Sequence, residues 1–138
     1  MSVNTKSIGV AFEDQNIIGA DRILTDRELG YTAAAQGTVT QLTSKSTAVT
    51  LNKSAGVITM NNASLATATN ATFTLNNNLI SHNDTVILTI AGGQATPGSY
   101  NVFANSLAAG LVSITLRNIS GGSLSEAIVI NFALIHCV

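Results

Sequence analysis

From Gly37 onward, apolar residues recur at alternate positions in short runs, and small polar clusters separate the runs. A period of two is the mark of a strand with one face buried. The runs predict eight strands, over residues 37–42, 48–52, 56–60, 71–76, 85–91, 99–105, 111–118 and 127–135. Val49 and Leu51 point one way, as do Phe73 and Leu75. Val112, Ile114 and Leu116 face a core, with Ser113 and Thr115 opposite, and Ile128, Ile130, Phe132 and Leu134 form the longest stripe. The run 85–91 is apolar on both faces, which predicts a central strand or one covered by a partner. Residues 61–70 break the pattern and predict a short helical turn or a crossover between sheets. The separators include Asn76-Asn77-Asn78, Gly92-Gly93, Thr96-Pro97-Gly98 and Ser120-Gly121-Gly122-Ser123. Their spacing is that of an antiparallel sandwich or barrel, and the expected fold is an all-β antiparallel sandwich, jelly-roll-like or Greek-key-like.

The first 31 residues read differently. They hold eight of the thirteen charges, and the remaining residues hold Lys45, Lys53, Asp84, Arg117 and Glu126. Ile8, Val10 and Phe12 alternate like a short strand, and Ile17-Ile18 and Ile23-Leu24 follow. The expected organisation is an N-terminal arm, 1–31, and a sandwich domain, 32–138. The arm's apolar residues set it apart from a disordered leader. Its expected anchors on a partner are Ile8, Val10, Phe12, Ile17 and Ile18.

Composition narrows the class. Ser, Thr and Asn number 13, 17 and 14, nearly a third of the chain, while charged residues are 9% and aromatic residues 4%. Thr, Val and Ile favour a pleated surface, and Asn, Gly and Ser favour turns. A polar skin with so little charge suits a protein that lives inside an assembly, because charge is the usual guard against association. The net charge of −1 removes the basic footprint of a nucleic-acid binder and of a polybasic membrane anchor. No apolar run approaches the length of a transmembrane helix, and the first residues lack the apolar stretch of a secretory leader.

Candidate chemistry is sparse. One cysteine, Cys137, permits no internal disulfide, and His82 and His136 lack the further ligands that a metal site requires. His82 reads as an exposed loop residue and Cys137 as a terminal thiol without a base. Asp84 and Glu126 are the domain's only carboxylates; a glycosidase would need them paired, and a turn residue and a strand-start residue are the expected roles. The glycine pairs lack the Lys-Ser/Thr and helix of a phosphate loop. Tyr31, Tyr100 and Phe103 are either a sugar-stacking platform or core and interface residues. The expectation is a protein without catalytic residues, cofactor or metal.

Two stretches carry a resemblance. One is Gly37-Thr-Val-Thr-Gln-Leu-Thr-Ser-Lys-Ser-Thr-Ala-Val-Thr-Leu-Asn-Lys53, followed by Gly56-Val-Ile-Thr-Met60. The other is Ile114-Thr-Leu-Arg-Asn-Ile-Ser-Gly-Gly-Ser-Leu-Ser-Glu-Ala-Ile-Val-Ile-Asn-Phe132. Together they resemble a widespread family of small bacteriophage and prophage virion proteins, over about residues 36–135; the arm lies outside the resemblance. The resemblance implies a β-sandwich decoration or fibre-associated module and transfers no active residue. It implies a capsid decoration, or cement, protein on the exterior of the virion, made in the host bacterial cytoplasm. The implied partners are the major capsid protein and further copies of the chain, as a homotrimer, with residues 85–91 as a candidate subunit interface. The alternative is a receptor-binding module of a tail or head fibre, presenting Tyr100, Phe103 and the loop 92–98 to host glycan.

Overall fold

The computed structural model describes residues 21–22 and 24–137. A single 3-10 turn, Ala33–Ala35, precedes eight strands. These are β1 (Gln36–Thr40), β2 (Val49–Thr50), β3 (Ala55–Thr59), β4 (Asn70–Asn76), β5 (Thr85–Gly92), β6 (Tyr100–Ala108), β7 (Leu111–Asn118) and β8 (Val129–Ile135). They form two four-stranded sheets, β1-β3-β8-β5 (sheet A) and β2-β4-β7-β6 (sheet B). The fold is an all-β sandwich. Each odd strand up to β5 lies in sheet A and the next even strand in sheet B, whereas β7 lies in sheet B and β8 returns to A.

Every expected strand is present, with shifted ends. Four of the six pairings are antiparallel, as expected, but β1–β3 and β2–β4 run parallel. The chain passes from β1 through sheet B to β3, a crossover of the kind that parallel neighbours require. Of the expected break, residues 61–69 lie in the crossover between β3 and β4, held by a bridge between Leu65 and Leu124, and contain no helix. The expectation that 85–91 is a central strand is corrected: β5 pairs only with β8 and forms an edge of sheet A. Its apolar residues divide between faces, with Val86, Leu88 and Ile90 packed against the core and Ile87 outward and 48% exposed.

The core is aliphatic. Ile58, Leu75, Val112, Ile114, Leu116, Ile128, Ile130 and Leu134 are fully buried, and Phe73 and Phe132 are the rings among them. Each such side chain contributes about 1.5–3 kcal/mol on burial. Gly37 and Gly56 lie opposite each other in the parallel β1–β3 pair. A Cβ on Gly56 would stand 2.7 Å from the Gly37 carbonyl oxygen and 2.8 Å from Leu51 Cδ2, so the absence of a side chain lets Leu51 close over the pair. In β6 the phase changes at a bulge between Ala104 and Ser106. The strand runs on to Ala108, past its expected end, and the extra residue turns Leu107 toward the core.

Amide side chains staple the loops from inside. Gln41 ends β1 by turning inward, where Nε2 donates to the carbonyls of Lys45 (3.1 Å) and Thr47 (2.8 Å) and Oε1 accepts from Asn61 N–H. The Lys45 ammonium is buried and donates to the carbonyls of Asn61 (2.6 Å) and Glu126 (2.5 Å). Burial lowers its pKa, and the charge of Glu126 partly opposes that shift. Asn118 Nδ2 donates to the carbonyls of Leu65 and Gly122, while its Oδ1 accepts from Ser120. Asn77 joins Lys53 O to Leu79 N–H in the same way. Buried polar groups need such partners, because an unmade bond costs about 1–3 kcal/mol.

Candidate functional site

The outer face of sheet A is the principal candidate. Register places its outward side chains in three rows across the strands. The first is Gln36, Ala55, Ala133 and Ile87; the second is Thr38, Val57, Asn131 and Thr89; the third is Thr40, Thr59 and Val129. None of these residues is charged. A depression of about 360 Å³ lies over the β1–β3–β8 side, lined by Gln36, Thr38, Ala55, Val57 and Asn131. A second, of about 450 Å³ and more apolar, lies between Ile87, Ala133, Ile135 and the incoming segment Leu29–Tyr31. Small side chains in the middle of the sheet, Ala55 and Ala133, make the face shallow.

The root of the arm is tied to this side. The Tyr31 hydroxyl donates to the Leu134 carbonyl. Gln36 Nε2 donates to Tyr31 O (2.9 Å), and Lys53 Nζ donates to Ala34 O (2.8 Å). Before Tyr31 the apolar side chains are largely uncovered: Leu24 is 84% exposed, and Leu29, though it borders the second depression, 87%. The expected anchors Ile8, Val10, Phe12, Ile17 and Ile18 lie outside the described residues.

Sheet B presents a different face. Its outward positions carry hydroxyls and amides, among them Asn70, Thr72, Thr74, Asn101 and Ser113, with Arg117 as the charge and Phe103 as the exposed ring. Thr115 points outward but is covered, because Thr72 Oγ1 (2.6 Å) and Asn105 Nδ2 (2.5 Å) both close on its hydroxyl. The three rings considered from the sequence do not converge. Tyr100 is buried in the core, Phe103 is on sheet B, and Tyr31 is on sheet A.

The two domain carboxylates are separated by the length of a strand pair. Asp84 precedes β5 at the Ile135 end of β8, and Glu126 precedes β8 at the Gly92 end of β5. At about 3.4 Å per residue the separation is roughly 20 Å or more, well beyond the roughly 5–9.5 Å of a glycosidase pair. Asp84 accepts from Ser81 N–H and Oγ, from Cys137 N–H, and lies 2.9 Å from His136 Nδ1. The Ser81 N–H bond leads in holding its pKa down at about 2. Ser81 Oγ donates to the carboxylate and not to the imidazole, so the cluster has no nucleophile–base contact and acts as a clamp on the C-terminal strand. Among the described residues, no group of three His, Cys, Asp or Glu side chains is placed to hold a metal ion. His82 is exposed in its loop.

Glu126 is not a strand-start residue but a loop anchor: Oε1 accepts from Ala95 N–H at 2.6 Å. Its Oε2, the Tyr100 hydroxyl and Gln94 Oε1 are buried without a hydrogen-bond partner among the described residues. Burial, then the neighbouring Glu126 carboxylate, pushes the Tyr100 hydroxyl up. The sequence offered no sign of this pocket or of the Asp84–His136 contact, since each depends on residues far apart in the chain. Gln41, Lys45 and Asn118 are internal staples, whereas Asn52, Arg117 and Asn131 are exposed. Comparison with known protein families, curated proteins and solved structures gives no match.

Proposed function

We propose that this chain is a bacteriophage virion structural protein that decorates the outside of the head in many copies and stabilises the coat lattice. The uncharged outer face of sheet A, with the root of the arm bonded to the end of β8, is the observation that carries the reading. Natural monomers avoid broad uncharged faces, and such a face favours a permanent contact over solvent. Four strands at about 4.8 Å spacing and about seven residues of length give a face of roughly 450 Å². A stable interface needs about 800 Å² per partner. The arm therefore has to supply the remainder, which accords with its run of apolar residues.

The test is co-sedimentation with undecorated phage shells, run beside intact host cells. Saturable binding to shells at a fixed ratio to coat protein is the expected result. Binding to cells alone would replace this reading with the receptor-binding one. That second reading draws on sheet B, where Phe103 is 39% exposed among hydroxyl and amide groups suited to a sugar.

A further inference from the structure

The β5 edge of sheet A is unpaired among the described residues. Leu134 N–H donates to Ser54 O, and Ile128 O accepts from Met60 N–H, so the even residues of β8 bond toward β3. Backbone groups alternate along a strand, so Ile135, Ala133 and Asn131 bond toward β5. Thr85, Ile87 and Thr89 are thus used, and the N–H and C=O groups of Val86, Leu88 and Ile90 point away from the sheet. None of them bonds another described residue. An edge of this length is normally guarded by charge, proline or a bulge. β5 has no charged residue and no proline, and its bulge falls at the Ala91 end, leaving Thr85–Ile90 straight.

We infer that this edge is filled by the segment around Ile8–Phe12 of a second copy, so that copies are joined by exchanged arms. The inference rests on the reading of the chain as a many-copy structural protein, and names the partner of its arm. Three observations support it. The arm enters β1 at the far side of the sheet but reaches toward this edge, where Tyr31 and Leu29 share the depression with Ile87 and Ile135. The segment outside the described residues contains the alternation Ile8, Val10, Phe12, which is strand-forming, with Gly9 and Ala11 small on the other face. Leu24 and Leu29 stay 84% and 87% exposed, so the described part of the arm buries little apolar surface on its own domain. Reach is sufficient: from Tyr31 to Phe12 the extended chain spans roughly 60 Å, against roughly 35 Å for the diameter of such a domain. Donation of each arm to the next copy is a head-to-tail contact, which makes a ring when the rotation between copies closes and an open filament when it does not.

The test uses two full-length variants. An arm-blocked chain carries Val10→Pro. An edge-blocked chain carries Leu88→Pro, which removes an outward N–H and no bond to β8; Ile87→Lys with Thr89→Lys replaces it if that chain does not fold. By sedimentation, the native chain is expected at a multiple of 14.2 kDa and each variant alone at the monomer mass. Mixed, the variants are expected to form a dimer, because one supplies the arm and the other the edge. A monomeric native chain, an oligomeric arm-blocked chain or the absence of the mixed dimer would each overturn the inference. Shell binding separates the two proposals. A native monomer that binds shells overturns exchange and keeps the decoration role; an exchanged oligomer that ignores shells does the reverse.

Discussion

His136 Nδ1 stands 2.9 Å from Asp84 Oδ2, joining two residues 52 positions apart. With the Cys137 N–H bond to the same carboxylate, it pins the end of β8 to the turn before β5. The Asp84 carboxyl titrates at about 2 in the fold, against an ordinary 3.8. Between those values the unfolded chain holds more protons than the folded one, so stability rises with pH across that window. The stability it contributes is fully present above about pH 4 and is lost as pH falls through about 2. Thermal unfolding of Asp84→Asn should show a lower melting temperature than the native chain at pH 6. The difference should close on acidification to pH 2; a constant gap would refute the assignment.

Lys45 donates to two carbonyls, of Asn61 just after β3 and of Glu126 just before β8. Lys45→Ala leaves both without that donor and should cost about 2–4 kcal/mol in urea unfolding. Lys53, whose ammonium bonds the exposed Ala34 carbonyl, is the control, and Lys53→Ala should change stability by less than about 0.5–1 kcal/mol.

Gly93 and Gly98 separate backbone strain from contact. Both have positive φ, +84° and +81°. A Cβ at Gly93 would stand 2.1 Å from the Ala127 carbonyl oxygen, whereas at Gly98 nothing lies within 4 Å. Gly98→Ala should cost about 1–2 kcal/mol, the left-handed conformation alone. Gly93→Ala should cost at least about 3 kcal/mol, because the loop must move as well. Equal losses in calorimetry would contradict this contact.

Tyr31→Phe removes the hydroxyl that holds the arm's root to Leu134. The core does not depend on that bond, so the melting temperature should change little. Cleavage by a protease in residues 21–31 should become faster, reporting local release of the root. Unchanged cleavage would show that Gln36 and Lys53 hold the segment without Tyr31.

Strand positions were legible because alternation is a local property. A residue such as Val112 or Ile114 declares its face by its neighbours two positions away, and both are fully buried as read. Ends were less legible. β1 stops at Thr40 because Gln41 turns in to bond Lys45 and Thr47, a contact no hydropathy pattern contains. The candidate face was only half visible. The lack of charge could be read from composition, but that Thr38, Val57, Asn131 and Thr89 form one row requires the pairing register.

By itself the sequence determined an all-β fold of eight strands and their inward residues, because each follows from short-range periodicity or composition. Tertiary structure alone decided the parallel β1–β3 and β2–β4 pairs, the edge position of β5, the burial of Lys45 and Asn118, and the meeting of Asp84 with His136. The physical reason is that these depend on which strands become neighbours. Strand order is set by the joint packing of two sheets around one core, to which every strand contributes and which no single segment encodes.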